Sequence, residues 1–296
     1  MTFNEAASSY IESLTQPRRR GALSSNSVRL YTLHANRLAL HFGPIDLAYV
    51  RNGRVRECIR ALQAEQLSAS TIASIYSVLR QIVSSIRNSD GEQVYTQEFD
   101  ADFLNLPIVK PTDQPCATAA DVARAFSTPN NPLVPFLAAT GLRVSEALSV
   151  EIGGAGNSYD RATGTVHLRV ALKTPAAARS VLLTADFLNW FNTRIPANGR
   201  LFPHTYQQVH DALAKANLPN AHAFRRFRIT HLRKAGMNES VLRRQVGHND
   251  PGVTSRYDRS ASDEAFVSSE VEKAGVGFTF SSSEGASSTR KVLQVY

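Results

Sequence analysis

Two short segments of the chain bring together side chains that can act on a phosphate group. The segment ATGLRVSEAL places Arg143 and Glu146 three residues apart, near the start of a predicted helix. The segment HAFRRFRITHL places His222 and Arg225 three residues apart on one face of another predicted helix. A guanidinium group offers a planar fork of N–H donors to phosphate oxygens, and a histidine can exchange a proton near neutral pH. This combination is suited to the cleavage or transfer of a phosphodiester.

A third segment, VGHNDPGVTSRYDRS, adds His248 and a candidate nucleophile, Tyr257. A phenol needs a neighbouring base or a strong positive field before it attacks, because its ordinary pKa is about 10. Each residue also has an ordinary structural explanation. Arg143 and Glu146, for example, can form an intrahelical ion pair that contributes about 0.2–0.5 kcal/mol. The order of the three segments along one chain is what favours a catalytic interpretation.

In this order, the segments resemble the conserved boxes of the tyrosine recombinases, the family of phage integrases and Xer-type chromosome-dimer resolvases. The family pattern is an arginine in a TGLRxSE segment, a lysine on a hairpin, an HxxR pair, a GH pair and a nucleophilic tyrosine. Lys173 matches the hairpin lysine, in a segment KTPAAARSVLL that is similar to the family's K-x-R-x-V-P-L without its proline. The chain departs from the family at Arg226, where many members have a second histidine.

The resemblance covers about residues 24–274 and implies the catalytic residues Arg143, Lys173, His222, Arg225, His248 and Tyr257. In the family, the tyrosine attacks a DNA phosphodiester in line. This leaves a 3′-phosphotyrosine and a free 5′-hydroxyl, and strand exchange proceeds through a Holliday junction. The two arginines would neutralise the phosphorane-like transition state, and Lys173 would protonate the leaving 5′-oxygen.

The remaining site residues have supporting roles in this interpretation. His222 would accept the proton of the attacking tyrosine, and His248 would hydrogen-bond the phosphate. Glu146 would orient Arg143 or a histidine without touching the phosphate itself. The bond energy would be stored in the phosphotyrosine, so that the step is reversible and needs no ATP.

The elements that must position these residues form a mainly α-helical chain with a small β-hairpin, in two domains. Residues 1–90 carry four amphipathic helical stretches and no strand signal. Residues 91–115 contain three prolines and are predicted to be an interdomain linker. Residues 116–262 are predicted to be the catalytic domain, and residues 263–296 a C-terminal helix followed by a flexible tail. The resemblance implies a helical core-DNA-binding domain followed by an α+β catalytic domain, the two-domain architecture of the tyrosine recombinases.

Local signals place individual elements of the second domain. An alternating pattern predicts a hairpin within residues 164–183, which contain a Thr-Pro turn. Asn238 is predicted to cap a helix that ends at Gly247. Residues 262–274 are predicted to form a last helix. This helix either packs into a neighbouring protomer, as the resemblance implies, or folds back on its own chain.

The charge of the chain favours a polyanionic partner. Basic residues outnumber acidic residues 33 to 25, with a formal net charge of +8. Phosphate contacts by such residues make binding salt-dependent and carry no base specificity. The arginines predicted to bind DNA are Arg226, Arg228, Arg243, Arg244, Arg80 and Arg87. The resemblance implies double-stranded DNA with an attachment or core site as the substrate, a homo-tetramer on that DNA, and an accessory directionality factor as a further partner.

Several other classes of protein are excluded. No apolar run approaches the ~18 residues of a membrane span, and the N-terminal segment has no basic region followed by an apolar one, so we expect no secretory signal. We therefore expect a protein of the cytoplasm, in a bacterial host if the gene belongs to a phage. Cys58 and Cys116 have no metal or disulfide-framework spacing. The histidines lack HExxH or HxH spacing and no Walker-type glycine loop is present, so we expect neither a metal nor another cofactor. With helix-forming sequence from Phe3 onward, the chain resembles small integrases without an arm-site-binding domain.

Four alternatives to a phage integrase remain. A Xer-type resolvase and an integron enzyme share the same boxes. A DNA-binding regulator would have kept this fold and lost the chemistry. The presence of Tyr257 argues against it, because a regulator needs no nucleophile. A type IB topoisomerase shares the tyrosine chemistry but would relax supercoils as a monomer without preference for a site.

Overall fold

The computed structural model describes residues 1–16, 23–111, 113–126, 132–170, 178–248 and 260–280. The chain divides into two compact units, Met1–Thr112 and Asp113–Tyr296. Each unit has a hydrophobic core of its own, and the second unit carries a further small apolar cluster. The fold class predicted from the sequence, mainly α with a small sheet, is confirmed.

The first unit is a bundle of amphipathic helices, and all but one of them begin at a side-chain cap. Thr2 accepts the backbone N–H of Glu5 in a capping box. The side chains of Ser24 and Ser68 each accept a backbone N–H at the start of the two longest helices. Apolar residues three and four positions apart face a common core, which explains why the periodicity predicted these helices correctly. The helices are α1 (Phe3–Thr15), α2 (Ser25–Phe42), α3 (Asn52–Ala64), α4 (Ala69–Ser85) and the short α5 (Ala101–Leu104).

Most of the segment predicted to be a linker belongs to this first unit. Gln97 donates a hydrogen bond from Nε2 to the carbonyl of Leu47 at 2.7 Å. Leu104, in α5, is fully buried, and Tyr95 and Phe99 pack against the same core. The predicted linker over 91–115 is therefore too long at its start. The prolines correctly indicated that no long helix continues, but aromatic and aliphatic side chains that precede them in the sequence cover apolar surface of the bundle.

The second unit is built around α7, in which every residue from Leu133 to Thr140 is buried. This helix ends at Gly141, whose φ of 68° is the left-handed conformation that favours glycine. Thr118 directly precedes α6 and accepts the backbone N–H of Asp121. The helices of this unit are α6 (Ala119–Phe126), α7 (Leu133–Thr140), α8 (Val144–Leu148), α9 (Ala185–Asn192), α10 (Tyr206–Lys215), α11 (Ala221–Lys234), α12 (Glu239–Val246) and α13 (Glu264–Ala274).

A small mixed sheet lies beside these helices. Its strands are β1 (Glu151–Ile152), β2 (Ser158–Asp160), β3 (Thr165–Leu168), β4 (Arg179–Leu182) and β5 (Gly199–Arg200), in the order β4-β3-β2-β1-β5. The predicted pairing of the hairpin strands is confirmed: β3 and β4 are antiparallel, with Val166 opposite Val181. The predicted Thr-Pro turn lies outside the described residues. The sequence did not predict the other strands, because two or three residues are too few to show an alternating pattern.

The C-terminal helix folds back on its own chain, which was one of the two alternatives. Val267 and Val271 of α13 are buried in the small apolar cluster with residues of α11 and α12. Glu270 accepts a hydrogen bond from the backbone N–H of Asn238 at 2.6 Å. His231 Nε2 lies 2.7 Å from the carbonyl oxygen of Ala274. His231 is therefore packed against the end of α13.

Candidate active site

Arg143 lies in the turn between α7 and α8. Gly141 ends α7, and α8 begins directly after Arg143. The side chain of Glu146, one turn into α8, accepts the backbone N–H of Arg143 at 2.9 Å and its Nη1 at 2.8 Å. The Arg143 side chain is 31% exposed and the Glu146 side chain only 7%. The predicted pairing is thus present, with Arg143 open to solvent and Glu146 beneath it.

Glu146 also holds a second arginine, Arg179, which the sequence analysis did not single out. Arg179 Nη2 lies 2.9 Å from Glu146 Oε2, and the Arg179 side chain is 1% exposed. Burial raises the pKa of Glu146, but the hydrogen bonds and charges of Arg179 and Arg143 more than offset it and leave the pKa below its ordinary value. The available signal was the R-x-V part of the hairpin match, which Arg179 occupies in the segment ARSVLL.

Arg225 reaches the site from the buried face of α11. It is 2% exposed and donates from Nη1 to the carbonyl of Gly141 at 2.6 Å and from Nη2 to the carbonyl of Val246. Burial, and next the positive charge of Arg143, lower its pKa to about 10. The sequence predicted an arginine whose fork is open to phosphate, whereas both terminal nitrogens of Arg225 donate to backbone carbonyls.

The two predicted catalytic histidines lie in the same positive field. Burial lowers the pKa of His222, and the charges of Arg226, Arg225 and Arg143 lower it further. The pKa of His248 is lowered first by burial and then by Arg225 and Arg143 among its neighbours. Both imidazoles are therefore held neutral near pH 7, the form that can accept a proton. Arg143 and Arg225 act on both rings, so the structure brings these four predicted residues into one cluster.

A cleft of about 650 Å³ opens beside this cluster. Arg143, His222 and Arg226 line one side of it, and Tyr206 and His210 of α10 line another. Arg226 is half-buried and donates from Nε to the carbonyl of Pro115 at 2.6 Å. The cleft therefore presents cationic and proton-exchanging groups to whatever binds there.

The arginines predicted to bind DNA lie in different environments. Arg80 and Arg87 are exposed on the first unit, and Arg244, although exposed, donates to the carbonyl of Ala261. Arg243 is half-buried and pairs with Glu239, with 2.8 Å between Nε and Oε1. None of these four placements by itself identifies a DNA contact.

Arg228 requires a correction. It is 3% exposed and donates from Nη1 to the carbonyl of Gly275, after the end of α13, and burial lowers its pKa to about 9. The prediction that Arg228 binds DNA is wrong because the guanidinium is enclosed by the protein. It fixes the end of the C-terminal helix instead, on the same face of α11 as His231.

Two predicted catalytic residues, Lys173 and Tyr257, lie outside the residues that the structure describes. Their assignment continues to rest on the sequence. Among the described residues, no group of three His, Cys, Asp or Glu side chains could hold a metal ion. Within that same part of the chain, no helix is both long and apolar enough to cross a membrane.

Comparison with known protein families identifies one family that matches the sequence of the second unit. The model of the phage integrase family matches residues 116–264, which include every predicted catalytic residue. No curated protein matches the chain in sequence.

Solved structures of similar fold include three DNA complexes. The Tn1549 transposon integrase in complex with transposon right-end DNA is 18% identical with a TM-score of 0.64, covering 92% of this chain and 98% of that chain. A lambda integrase dimer bound to a COC′ core site is 12% identical with a TM-score of 0.60, covering 89% and 79%. The XerH recombinase bound to its difH substrate is 17% identical with a TM-score of 0.55, covering 89% and 94%. At these identities the likeness concerns the fold.

Proposed function

The chain belongs to the phage integrase family, and on that basis we propose that it is a site-specific DNA recombinase that cuts and rejoins DNA through a 3′-phosphotyrosine on Tyr257. One observation carries the proposal. Arg143 stands at the wall of an open cleft together with His222, and the charge of the buried Arg225 acts on both. This arrangement provides positive charge for a phosphate and a neutral imidazole beside it, which phosphoryl transfer without a metal needs.

In the proposed reaction, each of these residues either binds the phosphate or moves a proton. The phenol oxygen of Tyr257 attacks the scissile phosphorus while its proton passes to His222. The bond between phosphorus and the 5′-oxygen breaks, and Lys173 gives a proton to that oxygen. The N–H groups of Arg143 that Glu146 does not occupy bind a non-bridging oxygen, and His248 donates to the same phosphate. Attack by the 5′-hydroxyl of a second strand reverses these steps and releases the tyrosine.

The burial of Arg225 gives it a different part in this mechanism from that of Arg143. Its Nη1 and Nη2 donate to the carbonyls of Gly141 and Val246 and the residue is 2% exposed, so Arg225 acts on the phosphate through its charge. Because Arg225 is fixed by the backbone at both nitrogens, it needs little reorganisation when charge develops on the phosphate. We assign Arg143 the role of the accessible phosphate ligand and Arg225 that of a rigid positive charge behind it.

Several features of the partner DNA and of the assembly belong to the same proposal. The substrate is double-stranded DNA with an attachment or core site, which the DNA complexes of proteins with a similar fold support. Arg80 and Arg87 of the first unit are exposed and can bind phosphates. We propose that four protomers act together on two duplexes, with an accessory protein setting direction, in the cytoplasm of a bacterial host.

The first test is covalent capture. Nicked duplexes that tile the DNA beside the gene are mixed with the wild type, with Tyr257→Phe and with Tyr49→Phe as a matched control on an exposed tyrosine of the first unit. A nick lets the short 5′ fragment diffuse away, so the phosphotyrosine accumulates. We expect an adduct that survives denaturation with the wild type and the control but not with Tyr257→Phe.

The other outcomes identify other functions. If no protein forms an adduct but all bind one duplex tightly, the chain is a DNA-binding regulator. If the wild type relaxes a supercoiled plasmid without preference for a sequence, it is a topoisomerase. An adduct with Tyr257→Phe would show that another residue is the nucleophile.

A further inference from the structure

Arg179 forms an ion pair with Glu146, and its side chain has almost no exposed surface. We propose that Arg179 is a positioning residue: it neutralises Glu146, so that Arg143 keeps its positive charge and its free N–H groups for the phosphate. This inference rests on the proposed function of the site. It adds to that function a separate role for Arg179, a residue that does not touch the DNA.

The different roles of Arg143 and Arg179 follow from their different exposure to solvent. Both donate to the same carboxylate, Arg143 Nη1 at 2.8 Å and Arg179 Nη2 at 2.9 Å. The side chain of Arg143 is 31% exposed and lines the cleft, whereas that of Arg179 is 1% exposed. A phosphate in the cleft can therefore reach Arg143 but not Arg179. Among the described residues, Arg179 can act on the reaction through Glu146 and through Gln245, whose carbonyl it also bonds.

The charge balance explains why one carboxylate needs two arginines. Glu146 fixes Arg143 by accepting its backbone N–H and its Nη1 together. If Arg143 were its sole cationic partner, the two charges would cancel, and the carboxylate would compete with the phosphate for the same guanidinium. With Arg179 present, the group of three keeps one net positive charge. Glu146 can then orient Arg143 without neutralising the site.

Arg179 also connects this group to the end of α12 that precedes His248. Its Nε donates to the carbonyl of Gln245 at 3.1 Å. Its guanidinium lies against Gly247, where an added Cβ would be only 2.5 Å from Nη1. Strand β4 thus joins Arg143, through Glu146, to the turn that carries His248. Glycine at 247 is required both for this close approach and for its φ of 67°.

The decisive experiment combines Arg179→Met with Glu146→Gln. In Arg179→Met, the carboxylate faces Arg143 alone, and we expect single-turnover cleavage of a nicked duplex to fall about 10- to 100-fold, the range of strongly coupled neighbours. Adding Glu146→Gln removes the uncompensated negative charge while keeping an acceptor for the backbone N–H of Arg143. The double variant should therefore cleave faster than Arg179→Met by about 10-fold or more.

A purely structural role for Arg179 predicts the opposite sign. Removing a second buried partner would then slow cleavage further, so a double variant no faster than Arg179→Met overturns the proposal. Arg161→Met is the matched control, because Arg161, like Arg179, donates to the backbone of this unit, here to the carbonyls of Asn192 and Pro196, but forms no hydrogen bond with Glu146. Adding Glu146→Gln to Arg161→Met should give no gain in rate.

Arg179→Lys covers the case in which Arg179→Met does not fold, as circular dichroism would show. Lysine keeps the charge beside Glu146 but cannot bond both the carboxylate and Gln245. The proposal expects cleavage within about 10-fold of the wild type for this variant, because the charge is retained. A folded Arg179→Lys as inactive as Arg143→Ala overturns it.

A second readout separates this inference from the proposed function. Inorganic phosphate is titrated into each variant while the ring resonances of His222 and His248 are followed by NMR. We expect phosphate to bind more weakly to Arg179→Met than to the wild type and to recover in the double variant, whether or not the protein cleaves DNA. If this pattern holds but the wild type forms no adduct, the function is wrong and the role of Arg179 stands. If the wild type cleaves and neither readout recovers, the role of Arg179 is wrong.

Discussion

Arg225 donates from Nη1 to the carbonyl oxygen of Gly141 at 2.6 Å, across 84 positions of the sequence. Gly141 ends α7, and the second acceptor of Arg225, the carbonyl of Val246, lies in the last turn of α12. The last carbonyls of a helix have no partner within the helix and carry partial negative charge. One guanidinium therefore joins the C-terminal ends of two helices, and those ends lead into the turns that carry Arg143 and His248.

This arrangement predicts that Arg143 and Arg225, the two arginines of the proposed mechanism, differ in their effect on stability. Arg225→Ala should abolish cleavage and also lower the free energy of unfolding, because each buried carbonyl left without its donor costs about 1–3 kcal/mol. Arg143→Ala should lower the cleavage rate about 10²–10³-fold, as the loss of one transition-state donor does. Its stability should stay closer to that of the wild type, because its side chain is partly exposed. Thermal unfolding and covalent capture on both variants give the comparison, and equal losses of stability would contradict it.

The lowered pKa of His222 predicts the acidic limit of the reaction. Its pKa lies below 6.5, so the neutral, proton-accepting form is present above that value and is lost as the pH falls through the shifted pKa. The cleavage rate should therefore begin to fall only below pH 6.5. In Arg226→Met, one of the charges that lower this pKa is gone, and the limit should move to higher pH. Single-turnover rates between about pH 5 and pH 8 test this. A wild-type limit above pH 6.5 would speak against His222 as the proton acceptor.

The same shift has a consequence for folding. A histidine with a lower pKa in the folded chain than in the unfolded chain binds its proton less readily when folded. The stability that His222 and His248 contribute is thus present above pH 6.5 and decreases as the pH falls through their lowered pKa values. Circular dichroism at each pH is the necessary control for the rate measurements.

The charge of the cluster predicts that cleavage needs no divalent metal ion. Among the described residues, Arg143 and Arg179 bond Glu146 and the charge of Arg225 acts on it, and this excess of positive charge repels a divalent cation. Cleavage of a nicked duplex should be unchanged when EDTA is added to protein that has been dialysed against chelator. Loss of activity that magnesium or zinc restores would contradict this mechanism.

The contact between Arg179 and Gly247 predicts a specific effect of a single methyl group. Gly247→Ala should reduce both stability and cleavage, because the Cβ would lie 2.5 Å from Arg179 Nη1 and the residue has a φ of 67°. Gly236→Ala is the matched control, since its φ is 70° but nothing lies within 4 Å of the added Cβ. The backbone strain, of order 1–3 kcal/mol, is common to both variants. Only Gly247→Ala should slow cleavage, and equal rates in the two folded variants would show that the approach of Arg179 is unimportant.

The burial of Arg228 predicts that it contributes to stability and not to DNA binding. Arg228→Met should lower the free energy of unfolding by about 1–3 kcal/mol, because the carbonyl of Gly275 loses its donor. The salt dependence of DNA binding should not change. Arg80→Met, on an exposed arginine, should leave stability unchanged and reduce the slope of log affinity against log salt by about one. A reduced slope in Arg228→Met would show that Arg228 does bind DNA.

Much of the fold and part of the site could be predicted from the sequence because the signals are local. Thr118 and Asn238 begin their helices, and Gly247 ends one, through hydrogen bonds that span only a few residues. The pairing of Arg143 with Glu146 needs only one helical turn. The order of the boxes likewise identified the family, because it depends on the sequence of residue types and not on their contacts.

The tertiary structure decided which of the charged residues face the cleft and which are enclosed. Arg226 and Arg228 are two positions apart on α11, yet one lines the cleft and the other is buried against the C-terminal segment. Nothing in the residue type distinguishes them, because an arginine can bind phosphate at a surface or carbonyls in the interior. The contact between Arg179 and Glu146 joins a strand to a helix 33 positions away. Such contacts depend on how whole elements pack, and local spacing does not encode that packing.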